Sequence, residues 1–248
     1  MPDSDGTPRL GVGSIRLEDS PNPCPYLPDR IAVDEAWAAI SVDPAVYRAL
    51  LDENYRRSGY VIYRPRCPSC SLCRQLRVLV DEFAPSRSQR RCLGRNTDLE
   101  LEVGPPRLTA EKADLYRRYM RARHPESSQG DDPASLFDFL YAGSVPSLEI
   151  TSRDRSGQVV CVSLIDPVPD AWSSVYCWFE PEPSRRGLGT WSILTEIEEC
   201  RRRGLAYYYL GYWVEGAATM AYKGRFRPAE ARYEDGWRRL PASSSSRE

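Results

Sequence analysis

Three cysteines in the run CPSCSLC, Cys67, Cys70 and Cys73, constrain this chain more than any other feature. The spacing C-x2-C-x2-C lets three thiolates converge on one centre only where the backbone makes consecutive tight turns. Pro68 and two serines permit such turns. Soft thiolates select zinc or an iron–sulfur cluster. A closed site takes a fourth ligand, and Cys24 in NPCPYLP is the candidate because its irregular segment can fold over the triplet. Spacing does not separate zinc from iron–sulfur: the triplet occurs in ferredoxin-type runs, but here the further Cys-Pro is absent. The competing reading is three cysteines by chance, or a redox pair with a spare; a metal or cluster is the expectation adopted. Cys92, Cys161, Cys177 and Cys200 lie among apolar or helical neighbours and read as small buried hydrophobes.

Charge is distributed unevenly. Tyr55–Asn96 holds ten arginines against Asp81 and Glu82, a net of +8 in a chain of net -1, so the remainder carries -9. A local patch of this sign attracts phosphate. Lys112 and Lys223 are the only lysines, so a bias toward arginine exists. That bias does not explain why acids avoid the segment. No stretch approaches the roughly 18–20 apolar residues that span a bilayer. The first residues, MPDSDGTPRL, show neither a basic nor an apolar leader region. With eight cysteines and no export signal, a reducing, cytoplasmic setting is expected.

Residues 1–21 read as a disordered arm and 241–248 as a flexible tail. Residues 22–98 form a smaller N-terminal part rich in Cys and Arg. Within it, Pro44 opens a helix running to Gly59, YVIYRP and RQLRVLVDEF are strands, and SRSQRRCLGRN is a helix or turn. Residues 99–240 form the second part. Helices are expected at TAEKADLYRRYMRARH, with Thr109 as N-cap, and at DDPASLFDFLYAG. A hairpin at LEITSRD and QVVCVSLID and a strand at WSSVYCWFEP follow. Next come an amphipathic helix at WSILTEIEECRRRG closed by Gly204, a strand at LAYYYLGYW, a helix at AATMAYKGRF and a last strand at RYEDGWRRL. This order is α/β (α+β) with a mainly antiparallel sheet.

Between the fifth and sixth of these elements lies SRRGLGT. Glycines there let backbone N–H groups approach a phosphate at a helix start. N-acetyltransferases of the GNAT type place R/Q-x-x-G-x-G/A at this spot; here Gly187 and Gly189 supply the glycines and Ser184 leads. His124 is the only histidine, and no G-x-S-x-G, HExxH or Walker motif is present, which disfavours those hydrolase and nucleotidase classes.

The stretches CPYLPDR, NYRRSGYVIYRPRCPSCSLCRQLRV, FAPSRSQRRCLGRNTDL, YRRYMRARH, SSVYCWFEP, RRGLGTWSILTEIE and LAYYYLGYWV…MAYKGRFRPAE carry a resemblance, in order, over nearly all of residues 22–240. The chain resembles the bacterial aspartate/glutamate leucyltransferases, relatives of the arginyl-tRNA–protein transferases. It departs from that pattern at Arg186, at Thr219 and in RHPES. The resemblance implies a GNAT-like catalytic domain behind a cysteine-bearing N-terminal domain. It implies transfer of leucine or arginine from aminoacyl-tRNA to proteins beginning with Asp or Glu, on an N-degron route, with no CoA. Such a reaction needs a cation for the acceptor's carboxylate: Arg56, Arg57 and Arg77, with Ser58, Tyr63 and Asn96 beside them, are candidates, and phosphate binding is an equal alternative for the arginines. Arg87, Arg90, Arg91, Arg95, Arg186, Gly187, Gly189, Tyr222 and Lys223 are candidates for tRNA contact. Tyr176, Tyr212 and His124 are candidates for oxyanion or proton work. Two other classes stay open: a CoA-dependent GNAT N-acetyltransferase, and a non-catalytic metal or iron–sulfur sensor that binds nucleic acid.

Overall fold

The computed structural model describes residue 10 and residues 13–125, 136–181 and 184–241. Strands β1 (Ser14–Arg16), β2 (Asn22–Pro23), β3 (Ile31–Ala32) and β4 (Asp34–Ala39) precede helix α1 (Pro44–Asp52), and β5 (Arg56–Ser58), β6 (Val61–Pro65) and β7 (Cys73–Leu79) follow it. Then come α2 (Arg87–Gly94), β8 (Glu100–Gly104) and α3 (Ala110–Arg123). The last third holds β9 (Leu148–Arg153), β10 (Val159–Val168), β11 (Ala171–Phe179), α4 (Leu188–Arg202), β12 (Tyr207–Val214), β13 (Ala229–Tyr233) and β14 (Gly236–Arg239).

One eight-stranded sheet, ordered β14-β13-β7-β12-β11-β10-β9-β8, dominates the molecule. Every pairing in it is antiparallel except β11 with β12. The α/β class with a mainly antiparallel, GNAT-like sheet is therefore what the chain adopts. Its faces are set by alternation along the strands. Cys161 and Ile165 of β10 pack with Ile193, Leu194 and Ile197 of α4. Val162 and Leu164 face the other way, toward Leu115 and Tyr116 of α3 and Trp178. A second, four-stranded sheet, β1-β4-β6-β5, carries its own apolar cluster with α1.

The two sheets are not independent. β7 lies in the N-terminal 22–98 part, yet it pairs with β12 on one side and β13 on the other. Residue 98 is thus no break between sheets. Several local expectations are corrected. Helix α1 stops at Asp52 instead of reaching Gly59, because Asn54 takes a positive φ of 70° and Arg56–Ser58 pairs with β6. AATMAYKGRF forms only a short 3-10 turn, Ala221–Arg225. RYEDGWRRL is a hairpin, not one strand, since Glu234 and Asp235 turn the chain between β13 and β14. Of DDPASLFDFLYAG, residues 131–135 lie outside the described residues, and Phe137–Tyr141 is a π-helical turn. The expected cap holds, Thr109 Oγ1 accepting from the Lys112 N–H of α3; the structure adds a capping box of Ser86 with Gln89 at α2.

A buried ion pair joins the smaller sheet to the larger. Arg57 of β5 donates from Nε and Nη2 to the carboxylate of Asp166 on β10, at 2.7 and 2.6 Å, and from Nη2 to Ser147 at 2.7 Å. The two side chains are 1% and 0% exposed. Removing one partner of such a pair strands the other charge without water. Asp166→Ala should cost about 3–5 kcal/mol, measured as a lowered urea midpoint. A loss below about 1 kcal/mol would show that Arg57 finds other partners.

Candidate active site

The parallel strands β11 and β12 pair only at Ala171–Ser173 with Tyr207–Tyr209. Beyond that point both continue, to Phe179 and Val214, without pairing to one another. A wedge-shaped opening results in the middle of the sheet. On the β12 side the register slips between Tyr209 and Gly211, where Gly211 has φ +85°. Only glycine suits this place: a Cβ there would lie 3.2 Å from the Arg56 guanidinium and 3.4 Å from Lys223 Nζ, besides the strained φ.

Two cationic side chains from opposite ends of the chain therefore meet over Gly211. Arg56, on β5, reaches in and donates from Nη2 to the Ser174 carbonyl of β11. Lys223, in the 3-10 turn, donates from Nζ to the Tyr212 carbonyl of β12 at 2.8 Å. Each strand of the opening thus offers a backbone carbonyl to one cation. Two positive charges this close in a desolvated place disfavour each other. Burial, and then the Arg56 charge, lower Lys223 to about 7. Arg56 is itself buried, and its Nη1 has no hydrogen-bond partner. Tyr63 stands beside Arg56, its hydroxyl pushed up by burial and partly pulled back by that guanidinium. Tyr26 and Asp34 close the same neighbourhood: burial, then Tyr63, raise Tyr26 to about 12, and burial raises Asp34. Neither was singled out from the sequence, although Tyr26 is two residues from Cys24.

The other arginines of the basic segment divide sharply. Arg57 is spent on Asp166. Arg77 bonds Glu230 at 2.8 Å and Asp52 at 3.1 Å and lies 4.0 Å from the rings of both Tyr207 and Trp237. Arg64 and Arg66 hold Glu35, and Arg74 lies 3.5 Å from Glu215 and 4.2 Å from the Tyr233 ring. Arg57 and Arg77, candidates for the acceptor, are thus held by internal carboxylates. Asn96 is also elsewhere: its Nδ2 donates to the carbonyls of Cys92 and Arg186, both at 2.9 Å. Ser58 lies on β5, half-buried, at the Val61 register of β6.

Arg87, Arg90, Arg91 and Arg95 differ from these. All four are exposed on or at the end of α2, and among the described residues none pairs with a carboxylate. Their helix is fastened to the glycine turn before α4. Arg95 Nη1 donates to the Arg185 carbonyl at 3.0 Å, and Asn96 accepts from Arg186 at 3.2 Å. Gly187 supplies the left-handed N-cap of α4, φ +66°, and Gly189 follows in its first turn against Phe179. Arg186, read as a tRNA contact, has its charge matched by a bidentate bond to Asp98 at 2.9 and 2.8 Å. Tyr222 is exposed beside Lys223.

The tyrosines expected to act on the reacting atoms are otherwise engaged. Tyr212 donates its hydroxyl to the Asn54 carbonyl at 2.8 Å. Tyr176 lies in the aromatic cluster of α3, its hydroxyl 3.7 Å from Met120 Sδ. His124 caps the exposed C-terminal end of α3 with its ring 6.0 Å from that of Tyr119.

Cys24, Cys67, Cys70 and Cys73 are neighbours. After burial, it is Cys67, Cys24 and Cys70, in that order, that push the Cys73 thiol up, to about 12. Four soft thiols are the right donor chemistry for zinc or an iron–sulfur cluster. Their sulfurs are not drawn together as ligands, however. Among the described residues no three His, Cys, Asp or Glu side chains are arranged to hold a metal ion, and Cys67 Sγ faces the Val33 carbonyl at 3.8 Å.

The main sheet is thus split, and a glycine turn and helix follow one of its splayed strands. A crystal structure described as the C-terminal domain of a "putative lysylphosphatidylglycerol synthetase" from Agrobacterium fabrum shares the fold, with a TM-score of 0.51 at 14% identity over 79% of this chain and 66% of that one. The chain belongs to the arginine-tRNA-protein transferase family: the family's N-terminal model matches residues 22–91 and its C-terminal model residues 111–233. An aspartate/glutamate leucyltransferase of Nitrosococcus oceani is 40% identical over 88% of this chain and 92% of its own length. One of Parvibaculum lavamentivorans is 41% identical over 90% and 94%. The protein is an aminoacyl-tRNA–protein transferase enzyme. No helix of the described residues is long and apolar enough to cross a membrane.

The depressed Lys223 makes a prediction about stability. Its free value is 10.5 and its folded value about 7, so between these limits the unfolded chain binds the extra proton. Stability then rises with pH across that window, by up to about 1.4 kcal/mol per unit from this group. Lys223→Met should flatten that rise in urea titrations at pH 7, 8 and 9. An unchanged slope would mean Lys223 is charged in the fold.

Proposed function

We propose that the chain moves leucine or arginine from charged tRNA to the N-terminal amine of proteins beginning with Asp or Glu, in the cytoplasm, marking them for degradation. The observation that carries this reading is the buried Arg56 with an unpartnered Nη1 beside a lysine held near neutrality, both in the sheet opening. A buried guanidinium N–H without a partner is uncommon and calls for one. The carboxylate of an acceptor's first residue is such a partner, and a charge-assisted bond to it is strong.

The reaction is aminolysis of an ester that arrives already activated. The acceptor nitrogen attacks the carbonyl carbon, the ester C–O bond breaks, and the terminal ribose oxygen of the tRNA leaves with a proton. The amine must shed a proton on the way. Lys223, with one N–H given to the Tyr212 carbonyl, offers a lone pair at neutral pH and accepts it. Positioning supplies the rest, since no covalent intermediate is needed. The exposed arginines of α2 contact tRNA phosphates, with the salt dependence such contacts bring. Arg57, Arg77 and Asn96 take part only by holding the frame. The choice between leucine and arginine follows from assays, and the curated relatives' name favours leucine.

Transfer of labelled leucine or arginine to peptides starting with Asp, Glu or Ala tests the reading. Transfer is expected to Asp and Glu and not to Ala, and absence of transfer from either donor would sink it. Arg56→Ala should lower kcat/KM for acidic N-termini by about 10- to 100-fold, the worth of one hydrogen bond to a charged group.

We further infer that Cys24, Cys67, Cys70 and Cys73 close on zinc or an iron–sulfur cluster, which would cross-link the β2–β3 connection to the β6–β7 connection. Metal analysis and an absorbance spectrum after anaerobic purification identify the species. Cys70→Ala should strip it and lower the melting temperature; unchanged metal content would remove Cys70 from the ligand set.

A further inference from the structure

A cleft of about 550 Å³ lies on the far side of the turn that carries Lys223. Its walls include Gln89 at the start of α2, Trp213 and Glu215 at the end of β12, and Arg225 and Arg227 after the turn. This volume lies in the range of sites that enclose small organic ligands. Its chemistry is selective. Among the described residues neither Arg225 nor Arg227 has a carboxylate partner, while Glu215, the only acid in the lining, is exposed and lies 3.5 Å from Arg74. Gln89 Nε2 pins the Arg225 carbonyl at 3.2 Å, and Arg227 Nε bonds the Gly224 carbonyl at 2.5 Å, so the turn's end is fixed. Trp213 brings a half-buried indole to the same place. A Cβ on Gly224 would lie 3.3 Å from its Nε1 and 3.7 Å from Arg227 Nη2, so indole, turn and guanidinium share one corner.

Two features of placement matter as much as composition. Lys223 and Arg225 flank Gly224, so one short turn presents the lysine to the sheet opening and Arg225 to the cleft. Tyr212 and Trp213 repeat this along β12: the carbonyl of the first holds Lys223, and the side chain of the second lines the cleft.

We propose that this cleft binds the terminal nucleotide of the donor, a purine nucleoside 5′-phosphate, with Trp213 against the base and Arg225 and Arg227 on the phosphate. The inference rests on charged tRNA being the donor and extends that reading to a separate set of residues. A flat aromatic face serves any base, and paired guanidiniums with no internal counter-charge serve a phosphate. The ester on the terminal ribose then falls between the cleft and Lys223.

Equilibrium dialysis of labelled 5′-AMP, adenosine and inorganic phosphate against the full chain tests the cleft without relying on catalysis. 5′-AMP should bind more tightly than either fragment. Trp213→Ala should weaken it about tenfold or more, the effect expected of a lost stacking partner. Arg225→Ala, at an exposed side chain, should erase the advantage of AMP over adenosine and serves if the tryptophan variant does not fold. In transfer assays both variants should raise KM for charged tRNA more than they lower kcat. If the wild type transfers leucine or arginine but binds no AMP, or binds it equally after both substitutions, the cleft assignment is overturned while the transferase reading stands. If AMP binding depends on Trp213 and Arg225 but no donor supports transfer, the cleft stands as a nucleotide site and the transferase reading falls.

Discussion

The molecule depends on one strand being claimed from both sides. β7 enters the large sheet from the N-terminal part and is hydrogen-bonded to β12 and β13, which are made more than a hundred residues later. Its residues Leu76 and Val78 are fully buried. Just ahead of it lies the cysteine cluster, and β5 reaches the same region. Pairing of β7 with β12 is what sets Arg56 over Gly211. The two family segments are thus two stretches of sequence sharing one sheet.

Electrostatics then sorts the arginines. A segment of net +8 looks like a surface for phosphate while it is read as a line of letters. Folded, it draws in carboxylates from the rest of the chain: Asp166, Glu230, Asp52, Glu35 and Glu215. Of these pairs, Arg57 with Asp166 joins the two sheets, at the desolvation cost a buried pair carries. The exposed set on α2 keeps its charge for the outside. Arg56 belongs to neither group, being buried and without a carboxylate.

The split between legible and illegible features follows from this. Strands with strong alternation, such as LAYYYLGYW, and capped helices, such as the one after Thr109, could be read directly, because local periodicity and side-chain capping determine them. The kinship and reaction class could be read from motifs in order. Short strands β1, β2, β3 and β5 could not, since two or three residues carry no period. The end of α1 was missed because the chain there is governed by pairing of Arg56–Ser58 with β6, a contact that α-helical propensity does not register. Adjacent arginines such as 56 and 57 are alternating strand residues with opposite fates: one meets Asp166 from β10, its neighbour turns into the opening. Nothing in the letters RR separates them. Trp213, Arg225 and Arg227 lie in stretches that carry the family likeness, yet the letters give them no shared role, because their cleft is assembled from three separate stretches.

The pairing of Arg56 with Lys223 has a further consequence. The positive charge that helps hold the lysine neutral is the one that an incoming carboxylate would cancel. On the proposed reading, proton affinity at Lys223 is lowest while the site is empty and rises once the acceptor's acid is seated. Occupancy and basicity would then be linked variables: the arrival of the right first residue would strengthen the base that its own amine requires, and a neutral first residue would bring no such gain. Selectivity of this kind resides in the timing of a proton and needs no steric gate.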